Sequence, residues 1–343
     1  MKLSIIVPIY KVEQYVHTCL ESIFRQGLED DIFEVILIND GTPDKSMEVI
    51  QDIIESHKNI RVINQENQGL SMSRNNGLKI AHGDYILFVD SDDLLIYNTV
   101  PFLLNKAISS KADLVVADFQ KMTNEQITQF LKEPFVKGDG KTEEKNGEQL
   151  FLQDLNPHYC CVWRTLYRRD FLNKNNIRFV PNIYFEDVPF THECYLKANQ
   201  CLRVFWPFII YRNGNESITS SFNLKKGMDY CTIIGKLWVR SHDEILKDQI
   251  KQKIQNHVFV YFSMLFYALT ASTTIPRSDK VYLLNYLKEQ VPDLSFKNGY
   301  KQRIVSFLYK RMPSFYMALR IIFAKYFNRL FWNIRHIILH KQN

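Results

Sequence analysis

GDYILFVDSDD, residues 83–93, joins a short apolar run, Tyr85 to Val89, to a cluster of aspartates at 90, 92 and 93. A run of this length, bounded by polar residues and rich in β-formers, is the pattern of a strand buried on both faces. Four further runs of the same kind lie at Leu3 to Ile9, Phe33 to Asn39, Ile60 to Asn64 and Asp113 to Ala117. Between them apolar residues recur at spacings of three and four. Val12, Tyr15, Val16, Cys19, Leu20, Ile23 and Phe24 predict one helix, and Met47 to Ile54, Ser71 to Ile80 and Thr99 to Ile108 predict others. This alternation predicts an α/β, Rossmann-like, mostly parallel sheet flanked by helices.

In such a sheet ligands bind beyond the carboxyl ends of the strands. The residues at those ends here are Pro8 to Tyr10, Asn39 to Gly41 and Asp90 to Asp93. A dinucleotide fold needs glycines in its first turn, yet the only glycine before Asp40 is Gly27, and no P-loop lysine pattern occurs. The histidines show no H-E-x-x-H spacing and there is no G-x-S-x-G elbow, which removes zinc and serine hydrolases. The Asp-x-Asp at 90 and 92 suits a hard divalent cation, Mg²⁺ or Mn²⁺, shared with phosphate oxygens. Asp93 is expected to form a turn or cap a helix.

Composition bounds the chain further. Its 343 residues are 46% hydrophobic, enough to bury cores and to exclude disorder. The net charge of +6 is uneven: no acidic residue follows Asp293, so the last fifty residues carry +10, and residues 1–293 hold 33 basic against 37 acidic groups. Six cysteines without a C-x-x-C pair suggest a reduced, cytoplasmic setting. The opening apolar run is too short for a signal peptide core and reads as a strand. From Gln120 to Gln149 the pattern fades into polar residues, suggesting an inserted or mobile stretch, and beyond Asn223 the chain reads as helical.

Taken together, SIIVPIY at 4–10, INDGTPDKS at 38–46, NQGLSMSRNNGL at 67–78 and GDYILFVDSDD at 83–93 resemble the family 2 glycosyltransferases of the GT-A fold. The resemblance covers about the first 115 residues closely and Trp163 to Thr219 more loosely. It implies a nucleotide-sugar donor, usually a UDP-sugar, and inverting transfer. Pro8 and Tyr10 would border the base, and Asp40 would accept a hydrogen bond from it. Asp90 would face the ribose and sugar, Asp92 would bind the metal, and Arg74 would touch the donor. YFEDVPF at 184–190 resembles the segment that supplies the base, with Asp187 assigned and Glu186 its close alternative. CVWRTLYRRDF at 161–171 places Trp163 either beside the acceptor or in the core, and has Thr165 where the family often has lysine. YRNGNESIT at 211–219 resembles a loop closing over the phosphates, with Tyr211, Arg212 and Ser217 as its candidates.

The expected organisation is a donor half at 1–118, an acceptor half at 119–222, and a helical C-terminal region at 223–343. Val258 to Ala271 is the most apolar stretch, but at ~1.5 Å per residue it falls short of a ~30 Å membrane core and is expected to be a buried helix. After Pro313, Phe315, Leu319, Ile322, Phe323, Tyr326, Leu330, Ile334 and Ile337 share one helical stripe beside basic residues. An anionic membrane surface is the favoured partner of this tail, ahead of protein packing, with nucleic acid last. The expected function is transfer of a sugar to a glycan or lipid-linked acceptor at the inner membrane face, in surface polysaccharide assembly. Two rivals are a sugar-nucleotide pyrophosphorylase, whose Gly-rich first loop is missing here, and a non-catalytic glycan-binding scaffold.

Overall fold

Ile, Val and Leu dominate the runs that open the chain, and branched side chains favour pleated backbone packed on both faces. In the computed structural model they form β1 (Leu3–Ile9), β2 (Phe33–Asn39), β3 (Ile60–Asn64) and β4 (Tyr85–Phe88). These pair in parallel in the order β3-β2-β1-β4. The structure describes residues 1–133, 140–213, 222–272, 274–297 and 299–311. Ser217 and the tail after Pro313 lie outside the described residues.

The second part of the sheet is β5 (Leu94–Leu95), β6 (Leu114–Met122), β7 (Thr142–Lys145), β8 (Thr165–Arg168) and β9 (Cys201–Arg212). The order continues β4-β8-β6-β9-β5, with β7 on β9. Only β8 of the central strands runs backwards, antiparallel to both β4 and β6, whereas β6 and β9 are parallel. The carboxyl ends of β1, β2, β4, β6 and β9 therefore share one edge with the start of β8. That edge carries the site.

Helices α1 (Val16–Phe24), α2 (Gln51–Ser56), α3 (Gly69–Ile80) and α4 (Val100–Ser110) fall where the periodicity put them, within a few residues. α3 starts two residues before the apolar pattern does, because the Asp40 carboxylate accepts from the backbone of Gln68 and Gly69. The same helix meets β1 closely: a Cβ at Gly77 would lie 2.5 Å from Ile6 Cγ2. Gly77→Ala is expected to lower stability by about 1–3 kcal/mol through overpacking, less the ~1 kcal/mol by which alanine favours a helix over glycine. Thermal denaturation checks this, and a raised melting temperature would contradict it.

Residues 120–133 and 140–149 require a correction, while 134–139 lie outside the described residues. β6 continues to Met122, α5 (Asn124–Lys132) and α6 (Gly147–Gln153) follow, and β7 pairs with β9. Each helix opens with a capping box, Thr123 with Gln126 and Asn146 with Gln149. The polarity belongs to surface helix faces; in α5 only Ile127 and Phe130 are buried.

The chain divides into two compact units, Met1–Ser217 and Ile218–Asn343. The first also holds α7 (Arg169–Lys174) and α8 (Asp187–Lys197), and the second contains α9 (Leu224–Arg240), α10 (Asp248–Ala271), α11 (Arg277–Gln290) and α12 (Gly299–Arg311). Ile254, Val258, Phe262, Leu265 and Leu269 bury one face of α10, so the apolar stretch is a core helix as expected. Among the described residues no helix is long and apolar enough to cross a membrane. Tyr309 of α12 packs on Phe262 and Phe266.

Candidate active site

The turn after β4 separates three aspartates by direction. Asp93 N–H closes it on Asp90 C=O at 3.0 Å. Asp90 and Asp92 stay partly exposed, while Asp93 is buried. Asp93 takes part in the turn, as one of its two expected roles had it, and does not cap a helix: its Oδ1 accepts from Arg212 N–H at 2.9 Å and so ties the turn to the end of β9. Burial first, then the charge of Asp90, pushes the Asp92 carboxyl up to about 6. Burial and the charges of Asp92 and Asp90 hold Asp93 well above the usual carboxylate range.

Arg212 secures the same turn from its side chain. Its Nε donates to Asp92 C=O at 2.7 Å, a terminal nitrogen donates to Asn124 Oδ1 at 2.7 Å, and its guanidinium lies 4.7 Å from the Tyr15 ring centre. Tyr211 and Arg212 are the last residues of a strand and not loop residues as expected. Trp163 is buried within the core cluster, stacked on Tyr211 at 5.6 Å and edge-on to Phe119 at 5.0 Å.

Arg74 is the hub. It is 1% exposed, and one terminal nitrogen donates to Glu186 Oε1 at 2.6 Å and to Asp187 Oδ1 at 2.8 Å, while the other donates to Asp90 Oδ1 at 2.7 Å. Burial alone would favour losing its proton, but the three carboxylates outweigh that and raise its pKa. One cation faces three acids, so it cannot balance all of their charge. Asp187 shows the strain: burial, opposed by Arg74 and reinforced by the charges of Glu186 and Asp90, leaves it pushed up to about 8.

Local sequence explains how residues so far apart meet. Asp187 opens α8 (Asp187–Lys197), and Val162 N–H donates to its Oδ2 at 3.3 Å. Just before it, Asn182 and Phe185 take left-handed backbone, φ 57° and 62°, a rare conformation for a ring-bearing side chain. Phe179 and Phe190 stack at 3.9 Å, with Phe88 edge-on to both. In SRNNG, Asn75 exchanges two hydrogen bonds with the Phe179 backbone at 2.9 and 3.0 Å, and Asn76 donates to Gln65. Gln65 in turn donates to Asp40 at 2.7 Å.

Asp40 is buried and accepts from Gln65, Gln68 and Gly69, so its carboxylate is held firmly at the end of β2. Pro8 is within β1, beyond Ile6 where pairing with β4 stops. Tyr10 is exposed at the same edge, with the Lys11 ammonium 5.3 Å from its ring centre.

With this geometry in place, likeness to known proteins has a structural footing. The sequence profile described as glycosyl transferase family 2 matches residues 4–175. The chain belongs to glycosyltransferase family 2. It is 37% identical over 217 residues to the uncharacterised glycosyltransferase EpsJ of Bacillus subtilis, covering 63% of this chain and 62% of that one. It is 30% identical over 206 residues to the poly(ribitol-phosphate) beta-glucosyltransferase of Bacillus spizizenii, covering 58% of this chain and 30% of that one. The chain thus spans less than two thirds of the length of these relatives. Among solved structures, S. aureus TarS 1–349 in complex with UDP-GlcNAc superposes with a TM-score of 0.69 at 20% identity, over 94% of this chain and 89% of that one. The fold is the GT-A type that the motifs implied.

Family 2 motifs pointed to Arg74, Asp90, Asp92, Glu186 and Asp187, and the structure gathers Arg74, Asp90, Glu186 and Asp187 into one cluster beside the turn that bears Asp92. Asn75, Val162 and Phe179 escaped notice, because a backbone donor or a floor residue has no motif of its own. Asn75 adjoins Arg74 in the quoted motif, and that adjacency was the one available signal.

Proposed function

We propose that this family 2 chain is an inverting, metal-dependent glycosyltransferase, moving a sugar from a UDP-sugar to a hydroxyl of a glycan or lipid-linked acceptor in surface polysaccharide assembly. The observation that carries this is the convergence of Asp90, Glu186 and Asp187 on the buried Arg74, beside the partly exposed Asp92. The poly(ribitol-phosphate) relative and the UDP-GlcNAc complex of TarS support the donor and acceptor classes.

Asp187 is the base. Its side chain is 22% exposed against 9% for Glu186, so it is the better placed of the two to meet a hydroxyl, and Glu186 is the alternative. It removes the acceptor proton as the oxygen attacks the anomeric carbon from the face opposite the diphosphate. Arg74 and Val162 N–H hold its two oxygens, which fixes its direction. Pro8, Tyr10 and the immobilised Asp40 border the nucleobase, and Asp90 faces the ribose and sugar.

Asp92, with Asp90 beside it, fits a divalent cation. Among the described residues no group of three or more acidic, His or Cys side chains could hold a metal alone. Mg²⁺ and Mn²⁺ take part of their oxygen shell from a substrate diphosphate, which would complete a site begun by Asp92 and Asp90. When bound, such an ion supplies positive charge against the charge developing on the departing nucleoside diphosphate. Because Asp92 holds its proton up to about pH 6, proton and metal compete there. The thermal shift given by Mn²⁺ with UDP is therefore expected to grow from pH 5 to pH 7.5 and to vanish in Asp92→Asn. A shift of equal size in that variant would exclude Asp92 as a metal ligand.

The basic tail directs the enzyme to the inner face of the cell membrane as a peripheral protein. Because Tyr309 is part of a core, a truncation that tests this should fall after Arg311. Flotation with anionic liposomes is expected for the full chain and lost on that truncation; equal flotation of both proteins would refute a membrane role for the tail.

A further inference from the structure

Lys121, near the end of β6, differs from its cationic neighbours. Arg74 and Arg212 are tied to side chains and carbonyls of the site, and Arg164 donates to Ala117 C=O at 3.1 Å. The exposed Lys121 ammonium instead sits 4.7 Å from the Tyr159 ring centre and 5.7 Å from that of Tyr211, donating to the Tyr159 hydroxyl at 3.3 Å. Among the described residues it forms no ion pair with a carboxylate. Two rings thus hold in place a charge that no acid among the described residues neutralises.

The rings belong to a wall that starts at the proposed base. Val162 donates to Asp187, its neighbour Trp163 stacks on Tyr211, and Phe119 contacts Tyr159 at 5.6 Å and Tyr211 at 6.4 Å. Lys121 and Tyr211 are register partners on β6 and β9, whose carboxyl ends lie at the site edge. Aromatic faces suit sugar rings, and an ammonium with N–H donors to spare suits an oxyanion. Charge also sets the order along this wall. Asp90, Asp92, Glu186 and Asp187 repel an anion close to the base, so a neutral hydroxyl belongs at Asp187 and the anionic group belongs farther along, at Lys121.

We propose that Lys121, Tyr159 and Tyr211 form an acceptor subsite for a glycan unit bearing an anionic group, either a phosphate ester or a carboxylate. This rests on the reading of Asp187 as the base that faces the acceptor. It narrows the acceptor class from any glycan to an anionic one.

Binding of maltohexaose, its 6-phosphate ester and hexagalacturonate to the full chain, with Mn²⁺ and UDP present, tests the subsite. At least one anionic probe is expected to bind more tightly than maltohexaose, with affinity falling as salt is added. Lys121→Gln should weaken that binding about tenfold or more, and Lys121→Arg should restore most of it. Preference for the phosphate or for the carboxylate probe identifies the group, and either supports the subsite. The proposal is overturned if Lys121→Gln binds the anionic probes as the wild type does, if neither binds, or if maltohexaose binds equally well. Melting temperatures of the variants confirm folding. UDP binding is scored in the same samples, so its absence would sink the UDP-sugar reading while Lys121-dependent anion binding is judged separately.

Discussion

Arg74→Met is expected to cost about 3–5 kcal/mol of stability, because removing one partner of a buried ion cluster strands the others in low dielectric. Asp90, Glu186 and Asp187 would then face one another without their cation. Asp187, whose carboxyl the fold already holds up to about 8, can escape by keeping its proton, so the sign with pH follows. At pH 5 the loss should be small, and it should grow toward pH 8 as Asp187 is forced to ionise. Transfer should fall below detection at any pH, since both the turn that bears Asp92 and the start of α8 lose their shared anchor. Arg74→Lys keeps the charge but not the fork that reaches three acids, and should recover stability better than activity. Chemical denaturation at the two pH values checks the stability term; a pH-independent loss would mean that Arg74 acts by packing on Phe179 and not by charge.

Asp187→Asn should produce the opposite pattern, with transfer reduced by about 10²–10⁴-fold, the typical worth of a positioned base, and the melting temperature unchanged or raised. The fold holds this carboxyl up to about 8, so its proton is bound more tightly folded than unfolded. A group raised in this way costs stability as pH climbs from its unfolded value toward its folded one, and asparagine removes that cost. The same shift places the acid limb of kcat/KM in the wild type. The base must be ionised, so activity should fall as pH drops through the region near 8, far above an ordinary aspartate. Glu186→Gln should lose less activity. If it loses more than Asp187→Asn, the two acids exchange roles.

β1 to β4 and the start of β6 were legible because short apolar runs bounded by polar residues mark them, a pattern independent of anything distant; β5, β7, β8 and β9 were not, being two to four residues long or, in β9, carrying Arg203, Pro207 and Arg212 among the apolar residues. Asp90, Asp92 and Arg74 were legible because they sit in short motifs at the ends of those strands. The contact of Arg74 with Glu186 and Asp187 was not, since 112 and 113 residues separate them and the chain comes back to Arg74 through β8, running backwards, and the Asn75–Phe179 pair. Residues 120–149 misled because a half-exposed helix and an edge strand carry little apolar periodicity; the T-x-x-Q and N-x-x-Q caps at 123 and 146 were the signal that outweighed it. Asp93 misled only as a helix cap, for a different reason. A strand-end aspartate resembles a cap in sequence, and only the return of β9 shows that it accepts from Arg212.

The most direct measurement is release of nucleoside diphosphate from a panel of nucleotide sugars, with and without Mn²⁺, by the wild type and by Asp92→Asn and Asp187→Asn. The expected result is turnover of a UDP-sugar that requires the metal, disappears in Asp92→Asn and collapses in Asp187→Asn while that variant still binds UDP. UDP binding by the wild type with no turnover of any donor would contradict the account and leave a glycan-binding scaffold as the better description.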